Sequence, residues 1–451
     1  MTSGFVSVPE ADKLVLGNAR ISSHFISGET THLVIDDDEL VSVDLIIRGG
    51  LIAEIVPAGT AKQEDHAVVD LQGGQVWPGF VDLHTHLDKG HIWPRAENPD
   101  GSFMGALMAV KDDRQANWSR DDVQTRMDFG LRCSFAHGTA AIRTHLDSQH
   151  PQHLTSWSLF TEMRKQWAGR IDLQATSIII LDDLAGKHGD NLADMIAESG
   201  GILGAVTHMV EDLGKPLERA FQLAEERGLD LDFHVDESGD AADQSLGAIA
   251  EMALERGFKG NIVAGHCCSL AVQPDEVIER TLAMVKEAGI TVVSLPMCNM
   301  YLQDRNPGRT PRWRGVTLLH EMRALGIPVA VASDNCRDPF YGYGDHDILE
   351  VFTQAARIAH LDRPVGNWCQ TVTSTPADVM RLKNVGRIQQ GAAADLVLFS
   401  SRGWCELLSR PQADRVVLRS GHSISTALPD YRELDHLFTA QPKQILAEQI
   451  A

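Results

Sequence analysis

The sequence predicts an α/β chain: a (β/α)8, TIM-like barrel carrying a small β-sandwich domain formed by the N- and C-terminal segments. Three observations predict it. Between about Pro78 and Met380, eight short apolar runs alternate with helical stretches. Strand-like texture at both ends of the chain brackets that region. The apolar runs also end in histidines and carboxylates, at the positions where a barrel builds its active site.

In chain order, residues 1–75 read as the first part of the β domain. KLVLGNARI, HLVIDDDELVSVDLIIRGGLIAEIVPAG and AVVDLQGGQVWPG alternate apolar and polar residues, with Gly, Asn and Asp between them. Residues 76–382 read as the barrel. Its expected strands are VWPGFVDLH (76–84), TAAIRTHLD (139–147), IDLQATSIII (171–180), ILGAVTHMV (202–210), LDLDFHVD (229–236), NIVAGHC (261–267), TVVSLPMC (291–298) and IPVAVASD (327–334). Segments between them, such as PLERAFQLAEERG and PDEVIERTLAMVKEAG, have helical spacing and end at glycine. Residues 383–451 return to strand texture in GRIQQGAAADLVLFS and ADRVVLRSGHSI and complete the β domain with a tail. A doubly wound open sheet is the alternative, but it would not need polar residues at so many strand ends.

Composition excludes several function classes. Lys and Arg number 40 against 62 Asp and Glu, a net charge of −22, so a phosphate backbone is repelled and nucleic acid is not an expected partner. No apolar run approaches the roughly 20 residues of a membrane span, and MTSGFVSVPEADK lacks the basic start and apolar core of a signal peptide. Seven scattered cysteines form no C-x-x-C pair, which argues against a zinc ribbon or a disulfide framework. A cytoplasmic protein is expected.

The strand ends carry the chemistry. The first offers His84 and His86, the second His145 and Asp147, the fourth His208. The fifth offers His234, Asp236 and Glu237, the sixth His266, and the eighth Asp334, Asn335 and Asp338. His84 and His86 share one side of a strand, since side chains alternate with period two. Alone, H-x-H is a weak signal, because histidines often end strands beside a loop. With His234 and Asp334 it becomes three imidazoles and a carboxylate, a donor set for one divalent ion, Zn2+ or Fe2+. Such an ion with an open position lowers the pKa of bound water and generates a hydroxide nucleophile. Glu237, three residues past His234, is in reach to move a proton, and His266 to polarise the attacked group or bind the hydroxide. A solvated loop carboxylate and a structural hydrogen bond are the respective alternatives.

PGFVDLHTHLD, RTHLD, FHVDE, GHCCS, MYLQDR and ASDNCRDPF, in this order, resemble the cytosine deaminase branch of the amidohydrolase superfamily. The HLDK and ASDN wording is also similar to N-isopropylammelide isopropylaminohydrolases. The resemblance runs through nearly the whole barrel and into the split β domain. It implies that His84, His86, His234 and Asp334 are ligands of a mononuclear iron or zinc site, that Asp334 serves catalysis as well, that Glu237 shuttles protons and that His266 assists attack. It also implies hydrolytic deamination of a small N-heterocycle and a homo-oligomer.

Two departures bear on the substrate. Aligned from Asp172, Leu173 and Gln174, the position where bacterial cytosine deaminase carries a glutamine that reads the pyrimidine's amide edge falls on Ile180, which cannot hydrogen-bond. A site built for a polar edge discriminates strongly, so its loss should move the substrate away from cytosine. Asn335 stands where cytosine deaminase has a second aspartate, as in the isopropylammelide enzymes. Candidate substrate contacts are Lys89, Arg95, Ile180, Asn335 and Asp338. For Lys89 the alternative is a salt bridge to Asp88 or another loop carboxylate, and for Asp338 a bracing role.

Removal of a larger amine, or cleavage of a cyclic amide at the same mononuclear site, is the second reading. A two-metal dihydroorotase-like hydrolase would need a lysine ending the fourth strand, where the sequence reads THMVED and the nearest lysine is Lys215. The small zinc deaminases are excluded because H-x-E and P-C-x-x-C spacings are missing. An inactive scaffold is remote, because every ligand position is filled.

Overall fold

A computed structural model describes residues 4–28, 31, 33–62, 65–209 and 212–438. The first three residues, Val210 and Glu211 at the end of the fourth expected strand, and the tail from 439 lie outside the described residues.

Eight parallel strands close on themselves: Phe80–Thr85 (β1), Thr139–Asp147 (β2), Asp172–Ile178 (β3), Leu203–Val206 (β4), Leu231–Val235 (β5), Ile262–His266 (β6), Thr291–Ser294 (β7) and Val329–Val331 (β8). β1–β3 form one hydrogen-bonded run and β4–β8 another. Parallel bridges Thr176↔Ile202 and Ile180↔Val206 join β3 to β4, and Thr85↔Asp334 joins the end of β8 to β1. That closure rules out the open doubly wound sheet.

Side-chain alternation sorts the barrel into two cores. Val81, Leu83, Ala141, Val263, Val293, Ala330 and Ala332 form one buried cluster, closed by Ala377, Val379 and Met380 from around the helix Ser374–Val379. Leu231, Phe233 and Val235 belong to the larger cluster shared with the surrounding helices. The nine residues of β2 are all buried, as parallel strands with two covered faces require. Helices Gly214–Arg227 and Ser245–Arg256 stop at Gly228 and Gly257, both left-handed, which glycine adopts without strain.

Two apolar runs divide differently from their reading in the sequence. Residues 76–84 are not one strand. Gln75–Pro78 pairs antiparallel with Leu396–Phe399 in the terminal sheet, and β1 begins after Gly79. A Cβ at Gly79 would stand 2.8 Å from that of Ala140, so glycine permits the crossing. The run 291–298 is a strand only to Ser294. Pro296 then opens the helix Pro296–Leu302, where its missing N–H costs nothing.

The terminal sheet has eight strands. Lys13–Ser22, Leu40–Arg48, Leu51–Pro57, Ala67–Asp70 and Gln75–Pro78 come from the N-terminal part, and Leu396–Phe399, Val416–Arg419 and His422–Ser423 from the C-terminal part. Trp77 sits at its junction with the barrel, its ring 4.7 Å from Phe25, 5.7 Å from Phe80 and 5.7 Å from Phe352.

Candidate active site

Four buried donors meet where β1, β5 and β8 end. The Nε2 atoms of His84 and His234 are 3.2 Å apart, and Asp334 Oδ1 lies 3.1 Å from His86 Nε2 and 3.5 Å from His84 Nε2. The register of β1 against β2 shifts between Asp82 and Thr85, a bulge of the kind that re-aims side chains beside a site. Thr85 Oγ1 donates to the Asp334 carbonyl (2.9 Å), and the Asp334 N–H donates to the His84 carbonyl (2.8 Å). Asp334 itself takes a left-handed backbone (φ 61°). Gly265 on β6 leaves room for the His84 ring, which a Cβ there would meet at 3.1 Å.

The electrostatics suit a cation. Burial first, then neighbouring imidazoles, with the Lys89 ammonium acting on His86 and His234, holds His84, His86 and His234 well below the ordinary histidine range, so all three are neutral donors. Burial, with Asp338 and Asp82 nearby, pushes the Asp334 carboxyl up to about 7. Asp334 Oδ2 has no hydrogen-bond partner. Three neutral imidazoles and an unsatisfied carboxylate at these separations fit one divalent ion.

Beside this set lies a hydrogen-bonded trio of Glu237, His266 and Asn299. Asn299, on the helix Pro296–Leu302, donates from Nδ2 to Glu237 Oε1 (3.1 Å) and to His266 Nδ1 (2.9 Å). Since His266 Nδ1 accepts, its proton resides on Nε2, which is buried without a partner. Burial pushes His266 down to about 3, so the ring is a neutral donor. Burial, then the Asp334 carboxylate, raises Glu237 well above the usual carboxylate range. Gln303 Nε2 donates to the Glu237 carbonyl (2.9 Å) and fixes the loop. His145 stacks on His84 (centroids 3.7 Å, 23°) and is held 3.3 Å from Asp232, which also pairs with Arg143.

The remaining residues singled out in the sequence fall into distinct places. Lys89 Nζ is 3.4 Å from Asp147, not Asp88, and 5.2 Å above the Phe340 ring. Burial opposes its charge, but Asp147, Asp338, Asp88 and Asp334 outweigh that and hold the ammonium protonated. Arg95 is gripped by Asp113 and Asp122 on both edges of its guanidinium. Asn335 donates to Asp338 (2.7 Å), whose other oxygen accepts from the Phe340 N–H (2.8 Å). Ile180 is 41% exposed just past β3. Asp236 turns away to cap the helix Ser245–Arg256 through the Ser245 and Leu246 N–H groups, and His208 is exposed beside Asp182. Asn299, Gln303 and the Asp232–Arg143 pair were not singled out in the sequence. The N-x-x-x-Q spacing of Asn299 and Gln303 on one helical face was the available signal.

The signature of the amidohydrolase family matches residues 67–147 and 131–425. This chain belongs to the amidohydrolase family. Along 98% of its length the amidohydrolase is 52% identical to the whole of a pterin deaminase from Rhizobium rhizogenes. Among solved structures it superposes on 5-methylcytosine deaminase from Klebsiella pneumoniae liganded with 5-fluorocytosine, with a TM-score of 0.77 and 23% identity. That match covers 91% of this chain and 97% of the other. N-isopropylammelide isopropylaminohydrolase from Burkholderia multivorans matches with a TM-score of 0.73 and 25% identity, covering 93% of this chain and all of that one. Membership implies a divalent metal, for which the barrel mouth offers the donors. No helix among the described residues is long and apolar enough to cross a membrane.

Proposed function

We propose that this protein is a hydrolytic deaminase whose substrate is a pterin, releasing the exocyclic amine as ammonia. The observation that carries the reading is the 52% identity to a pterin deaminase over the full length of that protein. His84, His86, His234 and Asp334 are the residues that would hold one Zn2+ or Fe2+ ion. When bound, the ion acidifies a water and supplies Lewis acidity.

The chain's own residues handle the protons. Water adds to the ring carbon that bears the amine, forming a C–O bond. Glu237 takes one proton from the water and gives it to the adjacent ring nitrogen; it then takes the proton left on the added oxygen and passes it to the departing nitrogen, as the C–N bond breaks and the C=O forms. The balance is pterin plus water giving the 2,4-dioxo pteridine plus ammonia. His266 donates from Nε2 towards the attacking oxygen, and Asn299 keeps Glu237 and His266 in register. Ile180 offers an apolar wall where a pyrimidine site would present an amide, and a bicyclic ring has the wider face to pack on it.

The test is ammonia release by metal-loaded protein from pterin, cytosine, isocytosine, creatinine and an aminotriazine. Release from pterin, with the matching change in its absorption spectrum, is expected. Release from another ring alone would keep a deaminase and move the substrate. No release from any, with metal shown bound, would refute deamination and favour removal of a larger amine.

A further inference from the structure

A second cluster of metal-binding side chains lies outside the site just described. His91, Cys336 and His346 place one donor atom each within 4.8 Å of one another, and all three side chains are buried. His91 and His346 are 1% and 3% exposed, yet neither nitrogen of either ring has a hydrogen-bond partner. A buried imidazole always carries at least one N–H, so two such rings side by side are an unmet demand for partners. Their centroids are 5.4 Å apart, and the His91 ring rests on Phe129 at 4.9 Å.

The surroundings form a built site. The His91 N–H donates to the Cys336 carbonyl (3.0 Å), and the Trp93 N–H to that of Arg337 (2.8 Å), so the loop after β1 and the loop after β8 already run together. Gly130 faces His346: a Cβ there would meet Nε2 at 3.0 Å. Tyr431 covers the group from the C-terminal segment, donating its hydroxyl to Asp345 (2.9 Å) with its ring 6.4 Å from His91. The nearby guanidinium of Arg126 is paired with Asp122 at 2.7 Å. Cys133 is a further buried thiol beside Cys336 and Asp345.

We propose that His91, Cys336 and His346 bind a second divalent metal ion, of the zinc class, that ties the two loops carrying His86 and Asp334 together. Imidazole and thiolate donors suit zinc and cobalt, whereas magnesium and calcium take oxygen. His91 is five residues past His86, and Cys336 two past Asp334, so an ion here fixes the backbones that deliver both candidate ligands.

Cobalt(II) tests this without reference to any substrate, because the His84–His86–His234–Asp334 set contains no thiol. Protein produced in cobalt-supplemented medium should hold two ions per chain and show a thiolate-to-cobalt charge-transfer band in the near ultraviolet. The double variant His84→Ala/His86→Ala should lose one ion and keep the band. Cys336→Ser should lose the other ion and the band. A wild-type protein that fills to one ion with no such band overturns the proposal, as does a band that survives Cys336→Ser.

Discussion

Asn299 spends one amide group on two partners, Glu237 and His266, and so sets both the place of a carboxyl and the tautomer of an imidazole. Asn299→Leu keeps the side-chain size and removes the donor. It should leave metal content intact and lower kcat by about 10²-fold with little change in KM, as expected when reacting groups are displaced by about an ångström. An unchanged kcat would remove Asn299 from the positioning of the site. Glu237→Gln should retain metal and lose about 10²–10⁴ in kcat, the usual worth of a placed acid–base, whereas His234→Ala should lose metal and activity together. Metal analysis beside steady-state rates separates the two variants, and full activity in the Gln variant would exclude Glu237 as the shuttle. The donors at strand ends were legible because a barrel converges its strand ends whatever the distance in sequence. Asn299 was not, because it directly follows a run, 291–298, that read as a strand and so hid the start of its helix. Arg95 reads as a candidate substrate contact in the sequence because Asp113 and Asp122, which pair with it, come from two other stretches of chain.

The helix Ile348–Ile358 starts at Asp347, whose Oδ1 accepts from the Leu349 N–H (3.0 Å) while both its oxygens pair with Arg415 of the C-terminal part. Burial pushes the Asp347 carboxyl up, but Arg415 and His137 outweigh it and hold it at about 2, against 3.8 when unperturbed. A depressed carboxyl contributes stability that is full above the unfolded value and is lost as pH falls through the folded one. That contribution is about 2 kcal/mol at neutral pH. Asp347→Asn should therefore be at least about 2 kcal/mol less stable at pH 7 in urea unfolding, and the gap should narrow between about pH 4 and about pH 2. A gap independent of pH would mean that the ion pair is not its source. Elements were legible in proportion to their burial pattern. β2 spans the residues its apolar run marked, since no helix-like spacing competes there. Met297 and Cys298 are buried in a helix as they would be in a strand, so periodicity over so short a run could not separate the two.

Described segments from the N-terminal and C-terminal parts pair in one sheet beside the barrel, so the molecule is held together by contacts far apart in sequence. Trp77 and its ring of aromatics join the terminal sheet to the barrel, and the 3-10 segment Tyr431–Leu437 lies against the helix Arg120–His137. Leu434 is 2% exposed and packs with Phe129 and Cys133, with Leu437 and Phe438 at the edge. Tyr431 stacks on Phe129 (5.5 Å, 29°), and Arg132 pairs with Glu433 at 2.8 Å. This contact is local, whereas the barrel core does not depend on it, so weakening it should open the segment without unfolding the chain. Leu434→Ala removes about 2 kcal/mol or more of buried contact, and as a local opening equilibrium that is roughly a thirtyfold rise in the open population. Cys133 reports that opening, because Leu434 covers it, and the exposed Cys405 serves as an internal reference in the same molecule. Labelling of Cys133 by a thiol reagent should accelerate about thirtyfold relative to Cys405, with Tm shifted far less than a core Leu→Ala change would shift it. If Cys133 stays as protected as in the parent, the segment does not open alone. A matching fall in Tm would then show that it unfolds only with the whole molecule.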